Sequence, residues 1–208
     1  MSECKRKQTT IPLIGISATA GAGKDYCALH FLFKRLCKEY PSLILCFADH
    51  FKIDVATRDA TFIEVFGSNR TTQIRKKLQL RGTEEGRNVY GENIWIRTVE
   101  NWITLQKSRG IEKFIICDVR FPNEAQWIRD NGGIVIRLIA PNRTWARDIG
   151  ETKGDVEQAK KNLSHPSETS LSSPEHKHLF DYIVPNDYGE EEICRQAMDE
   201  IYKNHFLL

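Results

Sequence analysis

Residues 17–26 read SATAGAGKDY, a glycine-rich segment with one lysine. It follows a short apolar run at residues 11–18, IPLIGISA, and precedes residues 26–40, whose apolar side chains recur at helical spacing. Gly21 and Gly23 lack a Cβ atom, so the backbone can curl and point its N–H groups inward. Such a turn between a strand and a helix binds phosphate oxygens. The sequence therefore predicts a P-loop whose Lys24 reaches the β- and γ-phosphates of a nucleotide.

This turn departs from the pattern G-x-x-x-x-G-K-S/T at two positions. Ala18 stands where the pattern has its first glycine, and Asp25 stands where it has a hydroxyl. A carboxylate can bind Mg²⁺ directly or through water, so Asp25 can serve in place of the hydroxyl. The alternative is a simple glycine-rich turn in which Asp25 favours the helix dipole. We interpret the segment as an ATP site formed by Ala20, Gly21, Ala22, Gly23, Lys24, Asp25 and Tyr26.

Four further apolar segments read as buried strands. They are LILCFA at 43–48, EKFIICD at 112–118, GGIVIRLIA at 132–140 and FDYIVPN at 180–186. Helical patterns separate them, and residues 71–91 predict one helix broken near Gly82. Strands that alternate with helices predict a three-layer α/β/α fold around a five-stranded, mainly parallel sheet, as in P-loop NTPases.

The same pattern predicts one domain over residues 1–208 with two insertions. A mainly helical, acceptor-binding region is expected at about 50–110, and a polar lid with little apolar periodicity at about 141–178. The predicted core comprises about 11–49, 111–140 and 179–208.

Composition excludes several classes of protein. The chain has 208 residues and a net charge of +2, which predicts no strong attraction to nucleic acid or to a membrane. None of the six cysteines forms a CxxC pair, which argues against a zinc ribbon and favours free thiols in a reducing compartment. Neither a signal peptide nor an apolar run of membrane-spanning length is present. We expect a cytoplasmic protein (host cytoplasm if viral), with small-molecule nucleotides as partners and a homodimer left open.

A second metal ligand and a catalytic arginine are predicted at the end of the third strand. Asp118 follows a buried strand and suits the placement of Mg²⁺ beside Asp25; the alternative is a helix N-cap ahead of Pro122. Arg120 stands at the same sheet edge.

The lid contributes two more arginines. Arg143 and Arg147 lie four residues apart, so they share a face if the segment is helical. Closure of such a segment over ATP would exclude water from the γ-phosphate, whereas an exposed loop with solvated arginines is the alternative. We predict catalytic roles for Lys24, Arg120, Arg143 and Arg147.

Polar and basic residues beyond the second strand point to an acceptor. Lys52 is expected to contact an acceptor phosphate, and Asp49 either receives a proton or caps the next helix. Trp95 can stack on a base, although its position on an amphipathic face favours core packing.

His165, Ser167 and Glu168 lack the partners that a zinc site or a hydrolase requires. Asn186 follows the fifth strand, where either an adenine contact through the backbone or a simple turn fits.

Five motifs in order resemble those of bacteriophage-type deoxynucleoside monophosphate kinases. They are GAGKD at 21–25, FADHFK at 47–52, LRGTEEGR at 80–87 followed by ENIWI, DVRFPNEA at 118–125 and HPSETSL at 165–171. The resemblance implies ATP with Mg²⁺ and transfer to the 5′-phosphate of a deoxynucleotide. It implies that Arg81, Arg87, Arg120 and Asn123 line the acceptor site. Together with Asp49, Lys52, Glu84, Gly86 and Trp95 they form the predicted site.

Other functions stay open at this point. Animal-type phosphomevalonate kinase also looks like a small GKD kinase, but its acceptor has no base. A non-catalytic nucleotide-binding module is a second alternative. A GTPase is disfavoured, because no N-K-x-D-like motif follows the P-loop and no D-x-x-G follows the third strand.

Overall fold

The core of the protein is one five-stranded parallel sheet. The computed structural model describes residues 12–67 and 70–206, so Ile11 and the N-terminal segment lie outside the described residues. The strands run in the order β2-β3-β1-β4-β5, and every pairing is parallel. Their bounds are β1 Leu13–Ser17, β2 Ser42–Leu45, β3 Lys113–Val119, β4 Ile134–Ile139 and β5 Tyr182–Pro185. The predicted parallel sheet is confirmed.

The central strands are apolar because helices cover both of their faces. Every residue of β1 and β3 is buried, and Leu13 pairs with Phe114 across the sheet. Because all five strands are parallel, their carboxyl ends meet at one edge of the sheet, where ligands bind in such folds.

Twelve α-helical segments lie among the described residues. Their bounds are α1 Lys24–Cys27, α2 Lys34–Glu39, α3 Asp49–Arg58, α4 Phe62–Phe66, α5 Thr72–Gln79, α6 Asn88–Tyr90, α7 Ile94–Lys107, α8 Pro122–Asp130, α9 Pro141–Glu151, α10 Val156–Leu163, α11 Pro166–Thr169 and α12 Glu191–Phe206. Ala28–Phe33 and Leu80–Arg87 are π-helical, and Pro174–Leu179 is a 3₁₀-helix. None of the helices described here is long and apolar enough to cross a membrane.

The helices form two outer layers and a smaller helical region. On one face, Leu32 of the π-helical Ala28–Phe33, Leu36 of α2 and Met198 of α12 pack against the sheet. On the opposite face, α7 and α8 pack against it through side chains such as Val99 and Ile128. Between β2 and α7, helices α3, α4 and α5 enclose a separate small core of Val55, Val65 and Ile74. The predicted three-layer architecture is thus confirmed.

The helix predicted to break near Gly82 is continuous. Helix α5 passes through the π-helical Leu80–Arg87 into α6 without interruption. Gly82 is buried, because the ring of Phe51 packs against it and its carbonyl accepts a 2.7 Å hydrogen bond from Trp95 Nε1. The prediction of a break was wrong because glycine here allows close packing within the helix.

The polar segment expected to form a lid is helical. Helices α9, α10 and α11 and the 3₁₀-helix occupy most of residues 141–179. Its buried side chains include Thr144, Asp148 and Asn162, which are polar. Apolar periodicity could not reveal these helices, because part of their buried face consists of hydrogen-bonding and charged groups.

Candidate active site

The P-loop connects β1 to α1 and depends on two glycines. Gly21 has φ +87° and Gly23 has φ +80°, the left-handed region that favours glycine. A Cβ atom on Gly21 would lie 2.9 Å from Arg147 Cδ, and one on Gly23 would lie 2.7 Å from Asn186 Nδ2. Both positions therefore exclude a side chain through backbone conformation and through close approach of a neighbour.

Replacing Gly23 should damage the site and the fold together. We expect Gly23→Ala to lower the free energy of unfolding by about 1–3 kcal/mol, because φ is strained and the new methyl group displaces Asn186. The same change should weaken ATP binding. Urea unfolding and calorimetric titration with ATP measure the two effects.

Gly150→Ala is the matched control. Gly150 lies in α9, where a Cβ atom meets nothing within 4 Å. Alanine is favoured over glycine inside a helix, so this variant should be neutral or slightly more stable. Equal stability losses in the two variants would contradict the proposed constraint on the P-loop.

Three side chains from distant segments hold the P-loop. Asn186 Nδ2 donates to Ala22 O at 2.8 Å, and Ala20 N–H donates to Glu168 Oε2 at 2.9 Å. The hydroxyls of Thr19 and Thr144 lie 2.9 Å apart and join the P-loop to α9. The loop is therefore preorganised by contacts with β5, α9 and α11.

Asn186 supports the P-loop from the end of β5. Its side chain donates to Ala22 O, and its backbone N–H donates to Ile139 O at 2.9 Å. Both donor groups are used within the protein, and the residue is buried. Its side chain therefore positions the P-loop, and a contact between its backbone and adenine stays a prediction.

Lys24 and Asp25 face the cavity at the start of α1. Lys24 Nζ lies 2.6 Å from Asp25 Oδ2. Burial raises the pKa of Asp25, but the ammonium of Lys24 outweighs burial and the net pKa is lowered, so the carboxylate is ionised at neutral pH. Tyr26, which is exposed, stacks on His30 with ring centroids 4.3 Å apart.

The carboxylate of Asp118 connects the end of β3 to the loop after β2 through hydrogen bonds. Its two carboxylate oxygens accept hydrogen bonds from the N–H groups of Phe47 at 2.7 Å and Ala48 at 2.9 Å. The N-cap alternative is wrong, because Glu124 Oε2 accepts from Phe121 N–H and Arg120 N–H at the start of α8. Asp118 lies at the edge of the sheet with a fixed orientation.

The acidic residues at this edge fit a magnesium ion that is bound mainly by phosphates. Across residues 12–67 and 70–206, no three His, Cys, Asp or Glu side chains are grouped so as to hold a metal by themselves. Mg²⁺ in phosphoryl-transfer sites commonly takes one or two carboxylates together with phosphate oxygens and water. Asp25 and Asp118 both line the cavity and supply such carboxylates.

A cavity of about 740 Å³ runs from the P-loop to the helical region. Phe51, Phe66, Trp95 and Phe121 form its apolar wall, and Gln79 and Thr83 add hydrogen-bonding groups. The volume lies within the range of small-molecule sites. One end therefore suits phosphates and the other suits an aromatic base.

Arg120 lies in the cavity wall and is paired with Glu168. Arg120 Nη1 is 2.5 Å from Glu168 Oε1 and donates to Ser167 O at 3.1 Å. Burial lowers the pKa of Arg120, but Glu168 outweighs burial and raises it overall. The DVRFPNEA and HPSETSL segments thus meet at the site, and His165 also lines the cavity.

Arg87 forms the second buried ion pair of the wall. It contacts Glu124, donates to Glu92 O at 2.6 Å and lies 3.9 Å from the centroid of the Phe121 ring. Burial raises the pKa of Glu124 to about 7, although Arg87 and two backbone N–H groups oppose this shift. These contacts fix the guanidinium plane of Arg87 at the acceptor end.

Lys52 and Asp49 both line the cavity. Lys52 Nζ lies 3.7 Å from Asp49 Oδ1 and 5.8 Å from the centroid of Phe66. Burial raises the pKa of Asp49, and Lys52 partly offsets this effect. Trp95 lies in the wall as well, yet its ring is largely buried in the core, as the packing alternative predicts.

Four residues predicted for the acceptor site lie outside the cavity wall. Arg81 pairs with Glu85 at 2.6 Å, and Asn123 Nδ2 donates to Asn93 Oδ1 at 2.8 Å. Glu84 is exposed, and Gly86 is buried because the Trp95 ring packs directly on it. Arg81, Asn123 and Gly86 are thus engaged in contacts within the protein.

The lid arginines have different positions. Arg147 lines the cavity over Gly21 and pairs with Glu151 at 2.6 Å. Arg143 lies outside the cavity wall, where it contacts Glu191 and stacks on Tyr188 at 5.3 Å. Both arginines nevertheless lie beside the P-loop, because a Cβ atom on Gly23 would be 4.0 Å from Arg143 Nη1. The catalytic role of each stays a prediction.

Sequence reasoning missed two arginines of the cavity wall. Arg75 contacts the buried Asp148 of α9 and lies 3.3 Å from Glu151, so it connects the helical region to the lid. Arg70 donates from Nε to Val65 O at 2.5 Å. Neither arginine belongs to a motif that the sequence singles out, so local sequence offered no signal for them.

Comparison with known structures identifies the fold. The chain is similar to TT1252 from Thermus thermophilus, with 14% identity, a TM-score of 0.54, and coverage of 94% of this chain and 98% of that one. It is similar to shikimate kinase from Acinetobacter baumannii, with 14% identity, a TM-score of 0.50, and coverage of 94% and 93%. The fold and the glycine turn define a P-loop protein with the architecture of small P-loop kinases.

One sequence match is more specific. The chain is 33% identical over 97 residues to the deoxynucleoside-5′-monophosphate kinase of Escherichia phage T5. The match covers 47% of this chain and 34% of the phage protein, about a third of its length. No protein-family model matches the chain. The resemblance predicted from the motifs is confirmed over that segment.

Proposed function

We propose that this chain transfers the γ-phosphoryl group of ATP to the 5′-phosphate of a deoxynucleoside monophosphate. The observation that carries the proposal is the single cavity wall that joins the P-loop to an acceptor end with arginines and aromatic rings. The partial likeness to the phage T5 kinase supports the same acceptor class.

Different residues of the chain bind ATP, the acceptor phosphate and Mg²⁺ in the proposed reaction. The P-loop and Lys24 bind the phosphates of ATP, while Arg87, Arg120 and Lys52 bind the acceptor phosphate. Asp25 and Asp118 would hold Mg²⁺, which neutralises phosphate charge when bound. A phosphate monoester has its second pKa near about 6, so the attacking oxygen is already deprotonated at pH 7. Asp49 is then not required as a general base and orients Lys52.

The contacts of α9 with the P-loop and with Arg75 support the proposal that α9 is part of a lid over the donor end. Thr144 and Asp148 make these contacts. A lid in this position excludes water that would otherwise compete with the acceptor for the γ-phosphoryl group.

A direct assay tests the proposal. ADP production would be followed with Mg²⁺, ATP and a panel containing the four deoxynucleoside monophosphates, the matching ribonucleotides and phosphomevalonate. Turnover on one or more deoxynucleotides is expected, because the aromatic wall has no counterpart in a ligand without a base. Turnover on phosphomevalonate alone would favour the alternative kinase. ATP binding without any turnover would favour a non-catalytic module.

A further inference from the structure

Nearly all of the positive charge in the cavity wall is already paired. Seven lysine and arginine side chains line the cavity. Six of them have a carboxylate partner: Lys24 with Asp25, Lys52 with Asp49, Arg75 with Asp148, Arg87 with Glu124, Arg120 with Glu168 and Arg147 with Glu151. The seventh, Arg70, has no carboxylate within ion-pair distance among residues 12–67 and 70–206.

The side chain of Arg70 is fixed but incompletely hydrogen-bonded. Its Nε donates to Val65 O at 2.5 Å, which anchors the guanidinium in the cavity wall. A guanidinium carries five N–H donors, and within the described part of the chain the four on Nη1 and Nη2 have no acceptor. Those four donors are therefore available for a ligand.

The electrostatic surroundings of Arg70 favour an anion. Burial lowers the pKa of Arg70, and the positive charge of Arg147 lowers it further; the charges of Asp25 and Glu151 oppose this shift without reversing it. A second guanidinium nearby and partial removal from water both make the unpaired charge unfavourable without an anion. A phosphate group offers the oxygen geometry that the arginine fork matches.

The position of Arg70 indicates which phosphate it meets. The chain enters α5 just after Arg70, so the residue belongs to the helical acceptor-binding region. The charges that act on it include those of Asp25 in the P-loop and Arg147, whose side chain lies over Gly21. Arg70 lines the same cavity as Gly21 and Lys24 of the P-loop, so it faces the space in which the γ-phosphate would lie.

We propose that Arg70 donates its Nη groups to the phosphoryl group that passes from ATP to the acceptor, and that it is a further catalytic residue of the proposed reaction. This inference rests on the proposed function. During transfer, the bond between the γ-phosphorus and the β,γ-bridging oxygen breaks, and a bond forms from an acceptor phosphate oxygen to the γ-phosphorus. Arg70 balances the negative charge on the three peripheral oxygens of that phosphoryl group.

Arg70→Gln and Arg70→Lys test the proposal. We expect kcat of Arg70→Gln to fall about 100- to 1,000-fold, with the KM of the acceptor changed less than about threefold. Affinity for MgATP should fall about tenfold or more, whereas affinity for MgADP should stay unchanged, because only ATP has the γ-phosphate. Arg70→Lys should recover part of the loss.

Arg58→Gln is the matched control. Arg58 is exposed on α3, outside the cavity wall, and pairs with Asp54 at 2.7 Å. This variant should keep wild-type kinetics and nucleotide affinities. Melting curves of all variants establish that each is folded, and Arg70→Lys decides the case if Arg70→Gln is unstable.

Two results would overturn the role of Arg70. One is an unchanged kcat together with an unchanged ratio of MgATP to MgADP affinity. The other is a raised KM for the acceptor with kcat unaffected, which would assign Arg70 to the acceptor phosphate. The nucleotide titrations need no acceptor, so they separate failure of this inference from failure of the proposed function.

Discussion

Lys24→Ala is expected to reduce kcat about 100- to 1,000-fold on any acceptor that supports turnover, because it removes a positive charge from the phosphates in transfer. The side chain of Lys24 is mostly shielded from solvent, at 17% exposure, and its ammonium lies at the first turn of α1 beside Asp25. No other lysine of the P-loop can replace it. Steady-state kinetics at saturating ATP and acceptor measures the effect.

Lys38→Ala provides the comparison for this variant. Lys38 is exposed on α2, in the helical segment that continues from Lys24. Its loss should leave kcat within about twofold of wild type, as expected for a surface substitution. Comparable losses in the two variants, or a Lys24→Ala protein with normal turnover, would contradict the assignment of the P-loop.

Arg120→Ala is expected to have the largest effect on stability. The ion pair with Glu168 is mostly buried, so removal of the guanidinium leaves a carboxylate without its charged partner. Breaking such a pair costs about 3–5 kcal/mol of the free energy of unfolding. Glu168 also accepts from Ala20 N–H, so ATP affinity should fall as well. Urea unfolding at pH 7 measures the loss.

A double-mutant cycle separates the ion pair from other effects. Glu168→Ala combined with Arg120→Ala should be less destabilising than the sum of the single changes, by about 0.5–3 kcal/mol. Independent, additive losses would show that the two groups do not stabilise one another.

The pH dependence of this coupling has a defined sign. Burial raises the pKa of Glu168, but Arg120 and Ala20 N–H outweigh it and the folded-state pKa is lowered from 4.5. The carboxylate therefore contributes stability above pH 4.5, and the contribution is lost as the pH falls through the lowered folded-state value. Repeating the cycle along the acid limb checks this; coupling that strengthens with acidification would exclude the ionised pair.

The P-loop and the sheet could be predicted from short segments of the sequence. The glycines at 21 and 23, the apolar run before them and Lys24 after them are adjacent in the chain, so one short segment contains the whole signal. The strands were visible because β1 and β3 are buried on both faces and therefore continuously apolar.

The side-chain positions at the acceptor end could not be predicted, because they depend on contacts between residues far apart in the chain. Arg81 and Arg87 are six residues apart in one motif, yet Arg81 pairs with Glu85 on the helix while Arg87 reaches the buried Glu124 from another element. Arg70 carries no periodic or motif signal, and only the fold brings it near Arg147. Whether a guanidinium is free to bind a ligand depends on the carboxylates around it, and for Arg87 and Arg120 these come from distant segments.

The number of residues in the π-helical turn Leu80–Arg87 determines the direction in which Arg87 points. One residue of an α-helix advances the direction of its side chains by about 100°, and a π-turn behaves as a local insertion of about one residue. A shorter chain that restored α-helical spacing would rotate Arg87 away from Glu124, although every residue type in the cavity were retained. In a related protein, deletion of one codon between residues 80 and 87 would therefore leave the sequence nearly unchanged but would displace Arg87 from the proposed acceptor site.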